Sequence, residues 1–246
     1  MKTFAAIACA VSVGAGVTDV ASVRSGADDW SGSRPAAAAV MLDRFLNSGK
    51  PALTSYKARR VLTASTMRGR MSASLEAWTY LDPDGTFWFA VVRENGSGLI
   101  RKRVLVAALE AEQRSRNNGD MGQAELTTTN YEFQVDNDAK DDGLVTIRLS
   151  PRRKTPMLLE GTVTVRQQDG DMVQIDGSPS RRPSWWTNHV DIVRRYERIA
   201  GVRVPIEMSS RADVRLAGDA TFSMTYEYKM INGQVIGSVD IAPHGL

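Results

Sequence analysis

The decamer TFSMTYEYKM, residues 221–230, alternates with a period of two. Phe222, Met224, Tyr226, Tyr228 and Met230 share one side of an extended chain, and Thr221, Ser223, Thr225, Glu227 and Lys229 share the other. A helix would scatter those apolar residues around its circumference, so the segment is a strand with one covered face. The covering residues are unusual in kind. Strand interiors commonly carry Val and Ile, whereas flexible Met and amphipathic Tyr either plug an ordinary core or line a surface that yields to a guest.

The same period recurs along most of the chain. YKARRVLTAS, MSASLEAWTYL and TFWFAVVREN are successive strands from Tyr56 onward, the last two joined by the turn sequence Asp82-Pro83-Asp84-Gly85. A longer antiparallel series follows: YEFQVDN, GLVTIRLSP, LLEGTVTVRQ, MVQIDGSP, HVDIVRRYERI, VRVPIEMSSRA, DVRLAGD, TFSMTYEYKM and QVIGSV. Asp169-Gly170, Gly218-Asp219 and Asn232-Gly233 mark turns between them. Two segments carry helical spacing instead. RPAAAAVMLDRFLNSGK places Ala38, Met41, Leu42, Phe45 and Leu46 on one stripe, with Ser33 as cap and Gly49 then Pro51 as stop. Gly98 to Asn117 places Ile100, Val104, Ala107, Ala108 and Ala111 on another, with Ser97 as cap and Asn118-Gly119 as stop. That second helix begins with Arg101, Lys102 and Arg103, the wrong sign for a helix start, and reads as a helix lying on a sheet, with a lid or membrane-surface helix as the alternative. Roughly ten strands and two helices predict an α+β fold: a strongly curved antiparallel sheet, a half-open β-barrel, with the helices covering its concave side.

The N-terminus, Met1-Lys2-Thr3 followed by FAAIACAVSV, fits a secretory signal peptide, assigned to residues 1–21, and a polar linker follows over 22–33. The apolar run is too short to span a membrane. Cys9, the single cysteine, falls inside it, so the mature chain would have no internal disulfide. The formal charge of +3 is compatible with transient contact with a membrane surface. Its Lys and Arg are scattered, which argues against nucleic acid as a partner.

Catalytic signatures are missing from the sequence: no G-x-S-x-G, phosphate-binding loop, G-x-G-x-x-G, C-x-x-C or H-E-x-x-H occurs. Two histidines, His189 and His244, leave both metal and nucleophile constructions short of parts. DNDAKDDG fails as a calcium loop, because a Lys takes a ligand position and the closing Glu is missing. Glu76, Glu132, Glu160 and Glu227 lie on strands, yet nothing singles out a catalytic pair. The expectation is a non-enzyme without cofactor or metal. What stands out is soft and apolar. In TFWFAVV, Phe87, Phe89 and Val91 face one way and Trp88, Ala90 and Val92 the other, which predicts that both faces are covered. With Met224, Tyr226, Tyr228 and the pair Trp185-Trp186, these residues are the candidate lining of a binding cavity.

The order of elements, AVMLDRFLNSG, then SYKARRVLTAS, then a long meander with an inserted helix, resembles the periplasmic outer-membrane lipoprotein-sorting superfamily. That group comprises the LolA/LolB-like carriers and their sigma-factor-regulating relatives. LLEGTVTVRQQDGDMVQIDGSPSRRP is similar to the family's hairpin, and WTNHVDIVRRYERIAGVRVPIEMSSRADVRLAGDATFSMTYEYKMING to the strands that close its half-barrel, with Val202, Val204, Ile206 and Met208 alternating as a covered face. The resemblance spans the mature chain and implies one LolA/LolB-like domain over 34–246. It also implies a periplasmic location and a concave apolar side that receives acyl chains of lipids or lipoproteins. The chain departs from the family in having no match to the carriers' lid arginine or to the receptors' membrane-inserting loop. An envelope sensor that binds a partner protein on the same fold is therefore the competing expectation.

Overall fold

The computed structural model describes residues 34–66, 69–136, 143–183, 187–215 and 218–237. The first helix, α1, is Arg34–Asn47. Three strands follow, β1 (Tyr56–Thr66), β2 (Met71–Leu81) and β3 (Phe87–Gly96). A composite helix, α2, then starts as Gly98–Ile100, passes through π-helical Arg101–Val106 and continues as Ala107–Asn117. After a short 3-10 turn, Asp120–Ala124, come β4 (Tyr131–Val135), β5 (Leu144–Pro151), β6 (Leu159–Arg166) and β7 (Met172–Pro179). The chain closes with β8 (Thr187–Ile199), β9 (Val202–Val214), β10 (Gly218–Ile231) and the two-residue β11 (Gln234–Val235).

All strands belong to one open antiparallel sheet in the order β3-β2-β1-β10-β9-β8-β7-β6-β5-β4, with β11 on β10. The first strand and the last long strand thus pair inside the sheet, third and fourth in its order, with Leu62 opposite Met224 and Arg60 opposite Tyr226. Irregular registers bend the strands, at Lys57/Ala58 against β10, Glu76/Ala77 against β3, Thr164/Val165 against β7 and Arg195/Tyr196 against β9. The curved α+β architecture matches expectation, as do both helices and the places of the strands, although several ends differ, β10 beginning at Gly218 rather than Thr221 and β4 ending at Val135 rather than Asn137. One strand count differs. VRVPIEMSSRA and DVRLAGD are not separate strands, because β9 runs unbroken from Val202 to Val214 and only then turns.

Both helices pack on one face of the sheet, here the inner face. From α1, Met41 and Phe45 are buried and Phe45 meets Phe133 of β4 edge-on at 5.8 Å. From α2, Leu105, Ala108 and Leu109 join Leu62, Leu75 and Met224 in the main apolar cluster. Small residues on β1 and β2, Ala58, Ala64, Ala73 and Ala77, are buried on the same face as Leu62 and Leu75 and leave room for the helix backbone. Ser97 caps α2 by position only, since its side chain makes no capping hydrogen bond.

The turns behave as their sequences dictate. Gly85 has φ 87° and donates its amide to Asp82 O at 2.9 Å. Asn232 and Gly233 both have positive φ, and the Asn232 Oδ1 accepts from the amides of Thr54 and Ser55.

A buried carboxylate fixes α1. Asp171, in the β6–β7 turn, accepts from Arg166 at 2.8 Å and from Arg198 at 2.8 and 2.9 Å. Arg198 also donates to Ser48 O at 2.6 Å and Gly201 O at 2.7 Å, and Arg203 donates to Ser48 Oγ at 2.9 Å. Two hairpin ends thereby grip the C-terminus of α1. Gly170 beside it allows no side chain, because a Cβ there would lie 2.7 Å from Arg44 C and Phe45 N. Gly201 has similar φ, 77° against 71°, but open space around it. Gly201→Ala should therefore cost about 1 kcal/mol, the conformational penalty alone, and Gly170→Ala about 3 kcal/mol, because helix and turn must separate. Urea unfolding of both variants measures the difference, and equal losses would contradict the close approach.

Candidate functional site

Arg60 sits on the inner face at mid-sheet, 1% exposed. The β1 alternation places it there: Tyr56, Ala58, Arg60, Leu62 and Ala64 share parity and are all buried. Its guanidinium meets a carboxylate from another element. Arg60 Nη1 donates to Glu112 Oε2 of α2 at 2.6 Å and Nη2 to Glu112 Oε1 at 3.2 Å, a two-pronged contact. Nη2 also donates to the Tyr56 hydroxyl. Aromatic rings enclose the cation, Tyr226 at 4.5 Å, Phe87 at 5.4 Å and Tyr56 at 5.7 Å from ring centre to guanidinium carbon. Met224 Sδ lies 3.8 Å from Nη1.

This charge pair stands where two apolar clusters join. Met224 belongs to the main one, Tyr56, Phe87 and Tyr228 to a smaller one, and Tyr226 and Phe89 touch both. Glu112 is 5% exposed and has a second partner on its own helix, Arg116, whose Nε donates at 3.1 Å. Burial alone would push the Glu112 carboxyl up, but the guanidiniums of Arg60 and Arg116 overcome it and bring it down to about 2. Burial raises the Tyr226 hydroxyl to about 12 although Arg60 opposes the rise. Burial also raises the Tyr228 hydroxyl, which donates to Pro205 O at 2.9 Å, where β9 and β10 have already ceased to pair.

The sequence-predicted lining divides. Phe87, Met224, Tyr226 and Tyr228 gather around the junction, with Phe89 half-buried beside them. Val91 does not, being 41% exposed. Trp185 and Trp186 lie outside the described residues, as do His244, the cap Ser33, the leader and linker, and most of DNDAKDDG. The expectation that β3 is covered on both faces is overturned. β3 ends the sheet, among the described residues no layer packs on its outer face, and Trp88 and Val92 are 41% and 53% exposed. Trp88 finds cover from one neighbour, stacking on Tyr80 at 3.7 Å, while Lys57 lies over Trp78 at 4.9 Å. Met230 also leaves the predicted face. The bulge at Lys57/Ala58 pairs it with outward Lys57 and turns Ile231 inward. Likewise the β8–β9 irregularity makes Ile206 the unpaired residue of its run, half-buried, whereas Val202, Val204 and Met208 are covered as expected.

Arg60 and Glu112 are not among the sequence-predicted site residues, yet both carry a signal. Arg60 has the parity of apolar neighbours, and Glu112 follows Leu105 and Ala108 at helical spacing. Of the strand carboxylates, Glu76 pairs with Arg59 at 2.7 Å, Glu132 with Arg152 at 3.1 Å and Glu227 with Lys229 at 2.7 Å. His189 contacts Asp191 at 2.7 Å on the exposed rim. Among the described residues no group of three or more His, Cys, Asp or Glu could hold a metal ion. A shallow groove of about 460 Å³ with mixed polar and apolar lining lies beside Thr63, Ala64, Ser72, Ala73, Asn95 and Thr221.

No protein-family model matches the chain, and no curated protein matches it. Several solved structures are similar to it, three of them as follows. A DUF1329 family protein from Desulfovibrio piger is 10% identical, with 77% of this chain and 91% of that one covered at a TM-score of 0.43. A LolA superfamily protein from Nitrosomonas europaea is 11% identical, covering 77% and 91% at 0.40. A putative outer membrane lipoprotein-sorting protein domain from Vibrio parahaemolyticus is 9% identical, covering 78% and 90% at 0.40.

The pair gives a pH signature. Glu112 has a lower value folded than its ordinary 4.5, so its contribution is complete above about pH 4.5 and is lost as pH falls towards about 2. Glu112→Gln strands a buried cation and should cost about 3 kcal/mol at neutral pH. The gap between variant and wild type should close as pH drops through that window. Urea unfolding at stepped pH values checks it; a gap independent of pH would show that the pair is not charged in the fold.

Proposed function

We propose that this chain is a non-enzymatic carrier or binder of acyl chains, of lipid or of lipoprotein, that works in the periplasm. Residues 1–21 act as signal peptide, 22–33 as linker and 34–246 as one LolA/LolB-like domain. The guest lies against the inner face around Phe87, Phe89, Met224, Tyr226 and Tyr228, and α2 is the lid that it displaces.

One observation carries this reading: the helix over those residues is joined to the sheet at its centre by an ion pair rather than by apolar packing throughout. Replacing a buried pair by well-packed apolar groups is commonly neutral or stabilising, so a pair in that place is poor cement. A π-helical stretch at the start of α2 weakens the same element, since its hydrogen-bond pattern departs from the α ladder. Beneath it, Met and Tyr repack around chains of varied shape more readily than branched aliphatics do. Among the described residues no helix is long and apolar enough to cross a membrane.

Native mass spectrometry of protein released without detergent should show adducts of acyl-lipid mass, and replacing Met224 and Tyr226 together by Ser should remove them. Lipid-free preparations that also leave a fluorescent fatty-acyl probe unbound would refute the carrier. The competing reading, a module that binds an envelope protein, is favoured by the exposed edge strand β3 with Val91 and Val92 uncovered. A partner retained by the same double variant would select it.

A further inference from the structure

The Arg60 site has an asymmetry between its two ions. Glu112 carries a second cation with it on α2, because Arg116 is one turn away on the same helix. Arg60 has no such reserve: among the described residues its only carboxylate contact within 4 Å is Glu112. Its remaining neighbours are aromatic rings, a phenol hydroxyl and a thioether, and its Nε is buried with no acceptor. An apolar guest in the place of α2 would therefore leave Glu112 compensated and Arg60 buried among rings without a counter-ion, which is strongly unfavourable. Whatever displaces α2 has to bring an anion.

The helix also shows what shape that anion has. Leu105, Leu109 and Glu112 fall at helical spacing, all buried, with the two leucines in the cluster that contains Leu62, Leu75 and Met224. Seven residues of helix cover about 10 Å. Seen from the sheet, α2 is a carboxylate at one end of an apolar ridge, which is the outline of an anionic amphiphile.

We infer that Arg60 is the head-group anchor of this protein, and that its ligand is a single amphiphile with a carboxylate or phosphate beside its acyl chain, which exchanges with Glu112 as its tail exchanges with Leu105 and Leu109. The inference rests on the acyl-binding reading and narrows it, since the acyl groups of a lipoprotein carry no such anion. Glu112 is then a built-in competitor. It keeps Arg60 satisfied in the empty protein and sets the affinity that an incoming anion must exceed.

The test compares cis-parinaric acid with its methyl ester by fluorescence, on the full protein, at a pH where the acid is ionised. Wild type should bind the acid at least about tenfold more tightly than the ester, the value of one charge-assisted contact. Glu112→Gln should tighten the acid by about tenfold or more and leave the ester within about twofold, and the acid, not the ester, should restore that variant's melting temperature. Arg60→Gln should bind acid and ester alike. Displacement by oleate or by oleoyl lysophosphatidate distinguishes a free fatty acid from a phospholipid source, with mono-oleoylglycerol as the neutral control. Equal binding of acid and ester by wild type would overturn the anchor and leave the carrier reading standing; binding of neither would overturn both. Because the wild-type comparison needs no substitution, a variant that fails to fold does not rescue the idea.

Discussion

The contact between Arg60 and Glu112 is the constraint around which the inner half of the molecule is arranged. A guanidinium at mid-sheet cannot be left to an apolar environment, so β1 needs a carboxylate from above, and α2 must pass at the distance that supplies one. The alanines on β1, β2 and α2 follow from that distance, because bulkier side chains would hold the helix too high for a 2.6 Å contact. The aromatic residues follow as well. Rings can sit against both a cation and a hydrocarbon, and Tyr226 and Phe87 do so at the boundary of two apolar clusters.

The two helices are fastened by different means, and the difference bears on which one can move. α1 ends in a mesh of hydrogen bonds from Arg198 and Arg203 around Asp171, with the Gly170 backbone pressed against it. Breaking that mesh disrupts two hairpin ends at once. α2 has its central pair, a partly exposed pair between Arg101 and Glu94, and the side chains of Asn117 and Gln113 on the backbone of Phe87. One of these attachments lies at the start of the helix, at Arg101, and the others gather in its last turns, at Glu112, Gln113 and Asn117, without a shared ion. They can release one after another, the behaviour expected of an element that opens locally while the sheet stays folded.

Much of the fold could be read from the chain because its signals are local. Alternation located β1, β2 and β10, and glycines or asparagines at positive φ ended them. What could not be read depends on partners distant in sequence. The two apolar faces of β3 suggest a central strand, yet its place at the end of the sheet is decided by which strand fails to pair with it. Met230 keeps perfect alternation in sequence and loses it in space, since the bulge opposite Ala58 is set by the fit between β1 and β10. At the candidate site, Phe87, Met224, Tyr226 and Tyr228 stand out in the sequence by texture alone. Arg60 does not, because a charged residue in an alternating strand normally faces solvent. Its inward parity was plain in YKARRVLTAS, but only the helix that returns with Glu112 makes that parity tolerable.

The two functional readings also separate by place. An extended peptide needs backbone partners, and the inner face offers none, because the amides and carbonyls of its strands are spent on neighbouring strands. A peptide strand therefore belongs at the outer side of β3, where the sheet ends and Val91 and Val92 are uncovered. An acyl chain has the opposite need. It carries no backbone groups to satisfy, and on the carrier reading it would gain by covering Leu62, Leu75 and Met224 in place of α2. The buried pair bears on the second of these events alone, since Arg60 lies on the inner face and β2 separates its strand from the edge.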